Sequence, residues 1–304
     1  MPCFYPPLLI INHLMYDSHS HIQFKAYQDD RDEVIKKCID KNMTINVIGT
    51  QYKTSKDAIA LAEKYDNFYA TVGLHPIQTY SIPVKEENTS FVSIAEEFDV
   101  KKYTELAKHP KVIAIGETGL DRFHIPDNKT TQEIMSEQIE VFMRHHSIAK
   151  ELDLPLVIHV RDPKKNDDGT LPASTHVDMI KVLQDIGEPI KGVIHCFSGN
   201  WQEAQQYLAL GLHLGFTGVV TYKPKKLDPQ PQLDLLEVVD KMPLDRMLVE
   251  TDSPYLAPQA YRGKRCEPWM VEEVISFIAE RRGVSVGELD EVTEGNGKRL
   301  FNIK

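Results

Sequence analysis

The sequence predicts an α/β protein built as one (β/α)8 barrel of the TIM type. All 304 residues are expected in a single domain (1–304), with the barrel over about residues 15–301. Three observations carry that expectation. Short β-like runs alternate with amphipathic helical stretches from end to end, and eight such runs suit a chain of this length. Several runs are nearly continuous in apolar residues, as parallel strands covered on both faces are. No GxGxxG follows the first run, which disfavours a doubly wound open sheet.

In chain order the strand-like runs are HLMYDSH (13–19), TINVIGT (44–50), FYATVGLH (68–75) and KVIAIGETG (111–119). LPLVIHV (154–160), KGVIHCF (191–197), GLHLGFTG (211–218) and RMLVETD (246–252) complete the set. Helical spacing of apolar residues marks DRDEVIKKCIDKN, SKDAIALAEKY, SEQIEVFMRHHSIAKEL, HVDMIKVLQDIG and WQEAQQYLALG between them. Gly187 and Gly211 read as helix stops. The stretch 267–304 reads as two closing helices on the barrel wall. Three connections after strands, about 76–104, 162–176 and 221–232, exceed a minimal βα loop. In a barrel such loops lie on the face where chemistry is built.

The net charge is −10, so a whole-surface basic footprint for nucleic acid is absent. A nucleic-acid substrate is still allowed, because bound cations invert the local charge of a cleft. The four cysteines, Cys3, Cys38, Cys196 and Cys266, form no CxxC pair and fit a reducing cytoplasm better than a disulfide framework. The apolar N-terminal stretch lacks a basic n-region and a small-residue cleavage site, and no run reaches a membrane span. The expectation is a cytoplasmic chain, off the membrane, with no obligatory protein partner.

The strand ends carry the chemistry. His19 and His21 stand one residue apart, so a strand projects both imidazoles from one face. Two neutral imidazoles on one face are half of a metal site. His75, Glu117, His159, Arg161, His195, Glu250 and Asp252 end further strands. One such residue at a buried strand end has an ordinary structural explanation; this many converging at one end of a barrel do not.

The motifs DSHSH (17–21), VGLHP (72–76), GETGLD (116–121), LVIHVRD (156–162), HCFSG (195–199), VETDSPYLAP (249–258), RGKRCEP (262–268) and NGKRLF (296–301) resemble, in order, the TatD family of metal-dependent hydrolases. The resemblance covers about residues 17–301. It implies a TIM barrel of the amidohydrolase type and deoxyribonuclease activity dependent on Mg²⁺ or Zn²⁺, including 3′ exonuclease action. It also implies two divalent ions. His19, His21 and Asp252 would hold one, His159 and His195 the other, and Glu117 would bridge them. Such a pair of ions suits phosphodiester hydrolysis, because it generates hydroxide, neutralises phosphate and stabilises the leaving oxygen.

Asp252 is also a candidate proton shuttle, and Glu117 is a catalytic candidate through both ions. Glu250 either orients a metal ligand or is a core carboxylate paired with a lysine or arginine. His75, Arg161 and Arg262 are the candidate substrate contacts, Arg161 through its planar fork and Arg262 through the RG motif. Ser198, Ser253 and Tyr255 are expected at the rim, and the Cys196 side chain is expected to point away from the site. Two departures from the family pattern stand out. Cys266 replaces an Asn in the last loop, and segment 78–104 is longer than the usual connection.

The leading expectation is a deoxyribonuclease using Mg²⁺, Mn²⁺ or Zn²⁺ on single-stranded or frayed DNA ends. The alternative from another reaction class is amide or ester hydrolysis, for example as a D-aminoacyl-tRNA deacylase, because the same centre polarises a carbonyl. A metal-stabilised binding protein is the non-enzymatic alternative, and an open second ion argues against it. A nuclease wants rim cations and stacking aromatics. Lys164, Lys165, Lys223, Lys225, Lys226, Lys264 and Arg265, with Tyr222 and Tyr261, all fall in loops after the strands.

Overall fold

Ten strands appear in the computed structural model, which describes residues 15–86, 89–166, 170 and 172–303. In chain order they are β1 (Tyr16–Ser20), β2 (Thr44–Ile48), β3 (Phe68–Val72), β4 (Pro83–Glu86) and β5 (Thr89–Val92). Then come β6 (Val112–Asp121), β7 (Leu156–Arg161), β8 (Gly192–Ile194), β9 (His213–Phe216) and β10 (Met247–Val249). β4 and β5 form an antiparallel hairpin of their own. The other eight run parallel in the order β1-β2-β3-β6-β7-β8-β9-β10, the order of a barrel wound once around. All eight strands expected from the sequence are present, although residues 13 and 14 of the first run lie outside the described residues.

Closure falls just beyond β10. The backbone of Asp252 donates to His19 O at 2.9 Å, and His21 N donates to Ser253 O at 2.7 Å. The buried Asp17 carboxylate reinforces the seam by accepting from Thr251 N at 2.9 Å and Thr251 Oγ1 at 2.6 Å. Burial pushes the Asp17 pKa well up despite those bonds. Ser253 Oγ meets Ser20 Oγ at 2.9 Å inside this seam, so Ser253 clasps the barrel and is not the rim residue expected of it.

The helices between strands bury one face each against the outside of the barrel. They are α1 (Arg31–Asp40), α2 (Tyr52–Ala62), α3 (Val100–Ala107), α4 (Thr131–Leu152), α5 (Thr175–Ile186), α6 (Trp201–Ala209), α7 (Gln230–Lys241), α8 (Val271–Arg282) and α9 (Val286–Phe301). Local sequence sets their ends. Thr130 and Glu133 make a reciprocal cap at the start of α4, and Asn200 and Glu203 do the same for α6. Gly187, at φ 71°, stops α5. Strands β1, β2 and β6 are buried along their whole length, which is why their sequences barely alternate.

One end of the barrel is plugged. Tyr16, Ile113, Val157, Val193 and Leu248 pack there against Leu300 and Phe301 from the end of α9. The polar strand ends therefore collect at the opposite, C-terminal mouth. Segment 76–104, expected as an irregular loop, carries the β4–β5 hairpin and the start of α3. The hairpin sits over a small apolar cluster of Ile77, Tyr80, Val84 and Ile134. Among the described residues, no helix is long and apolar enough to cross a membrane.

Candidate metal centre

Glu117 stands at the middle of the C-terminal mouth, 3% exposed, and its two oxygens face opposite ways. Oε2 lies 3.4 Å from His19 Nε2 and 3.7 Å from His21 Nε2. Oε1 lies 3.0 Å from His159 Nδ1, 3.0 Å from His195 Nε2 and 3.2 Å from His75 Nε2. Asp252 closes the first group, with Oδ1 at 3.3 Å from His21 Nε2 and 3.6 Å from His19 Nε2. Residues from β1, β6, β7 and the ends of β8 and β10 are thus brought within ligand distance of common points. Among the described residues, three such sets are His19 with His21 and Asp252, His19 with His195 and Glu250, and His75 with Glu117 and His159.

The protons fit this donor set to cations. His21 Nδ1 is 2.9 Å from Ile48 O, a pure acceptor, so Nδ1 carries a hydrogen and Nε2 is the nitrogen turned inward. His159 faces Asp121 Oδ2 through its outer nitrogen at 3.3 Å, and His195 faces Glu250 Oε1 through its outer nitrogen at 3.3 Å. In each ring the nitrogen away from that outer acceptor faces the centre, where a cation could stand in place of a proton. Converging lone pairs and carboxylate oxygens repel one another unless protons or cations lie between them. An imidazole backed by a carboxylate or carbonyl is the usual dress of a metal ligand.

The pKa directions follow. Burial disfavours the charged form of every group here, yet His75, His195, His159 and His19 hold the Glu117 carboxyl well below its usual range. His195 is pushed well above the usual imidazole value, because Glu117 and Glu250 outweigh its burial. Asp121 and Glu117 likewise overcome burial and raise His159. His19 goes the other way: burial, with His195 beside it, lowers it. Burial also lowers His75. Asp252 is held low by His21, His195 and His19 against the effect of burial.

Two supporting residues were not singled out from the sequence. Asp121 follows Glu117 by four on β6, on the same strand face. Its Oδ1 accepts from Phe123 N at 2.7 Å and His124 N at 2.8 Å, while Oδ2 serves both His159 and His124 Nδ1, the latter at 3.0 Å. That parity was the available signal for Asp121; His124, in the following loop, had none. Glu250 resolves towards the orienting reading. Its carboxylate meets His195 and accepts from Ser18 Oγ at 3.1 Å and Cys196 N at 2.5 Å. Gly215 makes room for it, since a Cβ there would stand 2.6 Å from Glu250 Oε2.

The remaining candidates spread out. His75 lies against Glu117 rather than on the rim, and its Nδ1 caps the turn at Ile77 N at 3.2 Å. Arg161 lines the cleft above the centre with its guanidinium 4.2 Å from the Phe123 ring centroid. Lys164 lies over the same ring at 4.6 Å. Arg262 stacks on Tyr222 at 4.1 Å, to one side of the residues lining the cleft. Arg265 is committed to Asp30, at 2.8 and 2.6 Å, and Lys165 to Asp228 at 2.7 Å. Lys223, Lys225 and Lys226 are exposed.

Cys196 is among the residues lining the cleft, while its Sγ lies 3.5 Å from Thr217 Oγ1, which is buried outside that lining. β8 has ended at Ile194, and Cys196 has left-handed backbone at φ 46°, so strand parity no longer applies. Asp252 shares that conformation at φ 56°. Cys266 is fully buried with Ala257 and Met270; the last loop is instead held by Cys266 N to Pro254 O at 3.1 Å and by Tyr27 OH on Cys266 O. The whole centre lies at the floor of a cleft of about 820 Å³.

Comparison with known proteins agrees with the geometry. A family model described as TatD related DNase matches residues 16–302. An uncharacterized metal-dependent hydrolase, YabD of Bacillus subtilis, is 35% identical over 95% of this chain and 100% of its own length. A Shigella flexneri protein named 3′-5′ ssDNA/RNA exonuclease TatD is 30% identical over 95% of this chain and 99% of its own. Among solved structures, the Escherichia coli TatD homolog YJJV superposes with a TM-score of 0.78 at 24% identity, over 97% of this chain and 100% of that one.

Proposed function

The chain belongs to the TatD family of metal-dependent hydrolases, and on that premise we propose that it hydrolyses phosphodiester bonds of DNA. The proposed action is 3′–5′ exonucleolytic, on single-stranded or frayed ends. The placement of Glu117, one oxygen towards His19 and His21 and the other towards His159 and His195, carries this reading. It suits two divalent cations, Mg²⁺, Mn²⁺ or Zn²⁺, shared by one carboxylate. His19, His21 and Asp252 would hold one, and His159 and His195 the other, with His75 beside them. Such ions supply the Lewis acidity that activates water and offsets phosphate charge.

The protein's own part is positioning and proton traffic. Asp121 and Glu250 fix the ring orientations of His159 and His195. Asp252, kept ionised by its three histidine neighbours, is placed to take the proton of the attacking water and return it to the leaving oxygen. Arg161, on the cleft wall beside Phe123, offers a fork to a phosphate. Lys223, Lys225 and Lys226 would meet phosphates further along the strand, and Arg262 would act from the side of the mouth. The exonuclease named among the relatives supports the choice of nucleic acid. One domain over residues 1–304 and a cytoplasmic site of action complete the proposal; the free thiols of Cys38 and Cys196 favour a reducing compartment.

The test is metal analysis of the purified protein with digestion of 3′- and 5′-labelled single-stranded DNA by the same preparation. Activity should vanish in EDTA and return with Mg²⁺, Mn²⁺ or Zn²⁺, and the 3′ label should be released first. Full activity after EDTA dialysis overturns the metal reading. Inert DNA together with release of D-amino acids from acylated tRNA moves the reading to the amide and ester class.

A further inference from the structure

We infer that Phe91, on the β4–β5 hairpin, stacks on a nucleobase of the strand whose end lies at the metal centre, and so selects unpaired ends. This rests on the hydrolysis of nucleic acid proposed above. The hairpin is an addition to the barrel. Val84 and Phe91 are direct partners across it, so their side chains share one face. Both belong to the wall of the cleft that has Glu117 and His159 at its floor.

The two partners differ in burial. Val84 is 2% exposed and anchored with Ile77, Tyr80 and Ile134. Phe91 is 36% exposed, so about a third of a large apolar side chain is left in water at the cleft wall. The strand bearing it is held firmly. Ser93 N donates to Ile82 O at 2.9 Å, and Ser93 Oγ donates to Tyr80 O at 2.7 Å. Gln51 Nε2, at the start of α2, donates to Ile94 O at 2.8 Å. A phenyl ring on a pinned support keeps its place, so a ligand that stacks on it loses little to ordering the wall.

The chemistry of the cleft selects the ligand. Its floor is polar and suited to phosphate; the hairpin side of its wall, with Ile77, Val84 and Phe91, is apolar. A nucleotide has that polarity, phosphate at one end and a flat aromatic base at the other. Every base has a π-face, so one phenyl serves all four without reading sequence. A base inside a duplex has its faces covered by its neighbours, and only an unpaired end frees one for Phe91.

The experiment compares wild type, Phe91→Ala and Phe91→Tyr on two single-stranded oligonucleotides. One is ordinary DNA. The other carries abasic tetrahydrofuran residues at its two 3′-terminal positions, with the phosphates unchanged. On ordinary DNA, Phe91→Ala should raise KM by roughly 5- to 100-fold with kcat nearly constant, and Phe91→Tyr should behave as wild type. On the abasic strand, wild type and Phe91→Ala should share the same raised KM. An unchanged KM for Phe91→Ala, or an equal loss on both strands, overturns the inference; the second outcome marks a structural or protein-docking role for the hairpin. If wild type cleaves neither strand, the proposed hydrolysis itself fails and the inference falls with it.

Discussion

The two sides of Glu117 are built differently. Towards His19 and His21 the outer support is a backbone carbonyl, Ile48 O on His21; His19 Nδ1 is buried without a hydrogen bond among the described residues, as is His195 Nδ1 on the other side. Towards His159 and His195 each ring is backed by a buried carboxylate, Asp121 or Glu250. The pKa directions divide along the same line, with His159 and His195 raised and His19 lowered. A carboxylate behind an imidazole makes it a stronger base, hence a better ligand at high pH and a readier proton acceptor at low pH. The comparison teaches that a single carboxylate can face imidazoles whose pKa values are pushed in opposite directions, His159 and His195 up and His19 down.

The largest effect should come from removing what the two sides share. Glu117→Gln keeps the shape but withdraws the negative charge facing both groups. Activity should fall by about 10⁴-fold, and bound metal should drop on both sides at once. Loss of only one ion, with the other retained at wild-type affinity, would break the picture of a shared carboxylate.

Much of this centre was legible because strand parity is rigid. His19 and His21 one residue apart, and His159 within an apolar run, share strand faces that meet at the mouth, while His195 and Asp252 follow directly on the ends of apolar runs. Parity also predicts what it was not asked for, namely Asp121 four residues after Glu117. Legibility ended where the backbone left the strand. Cys196 follows no strand alternation, because β8 has ended and its backbone has turned to a φ of 46°. Ser253 was absorbed by barrel closure, a contact between residues 233 positions apart that no local pattern announces. The β4–β5 hairpin was hidden because its runs, PVKE and TSFV, are only four residues each. The two such runs flanking Glu87 and Asn88 were its one sequence signal.

Asp252 separates ligation from proton transfer on the side of His19 and His21. Asp252→Asn retains an oxygen for coordination but accepts no proton near neutrality. The expected fall in kcat is about 10²- to 10³-fold, persisting when metal is raised until two ions are bound. Single-turnover cleavage across a metal titration measures it. Recovery to near the wild-type rate at two bound ions would reduce Asp252 to a ligand alone.

A smaller loss should follow on the other side from Asp121→Asn. The amide oxygen can still accept from Phe123 N and His124 N, so the loop after β6 should hold. The charge behind His159 is gone, and metal affinity or activity should drop by about 10- to 100-fold. Glu250→Gln should act similarly through His195. If neither change alters metal affinity, the carboxylates are not supporting ligands and the contrast between the two sides dissolves.

The mildest test is acidification, where the sign can be worked out for each side. A cation needs a bare imidazole nitrogen, so a proton competes with it below that ring's pKa in the metal-free protein. His195 lies well above its ordinary value of 6.5 and His159 lies above it, so their side begins to lose affinity while the solution is still near neutral. His19 lies below 6.5, and Asp252 below its ordinary 3.8, so neither takes up a proton in that range. Calorimetric metal titrations at falling pH should therefore show the binding that involves His159 and His195 weakening by up to about tenfold per pH unit for each proton displaced. Asp121→Asn assigns the step. Without that carboxylate the His159 pKa falls, so the sensitive step should be weaker at high pH and lose less on acidification. A sensitive step indifferent to Asp121→Asn would mean that the carboxylates behind His159 and His195 do not set the proton competition.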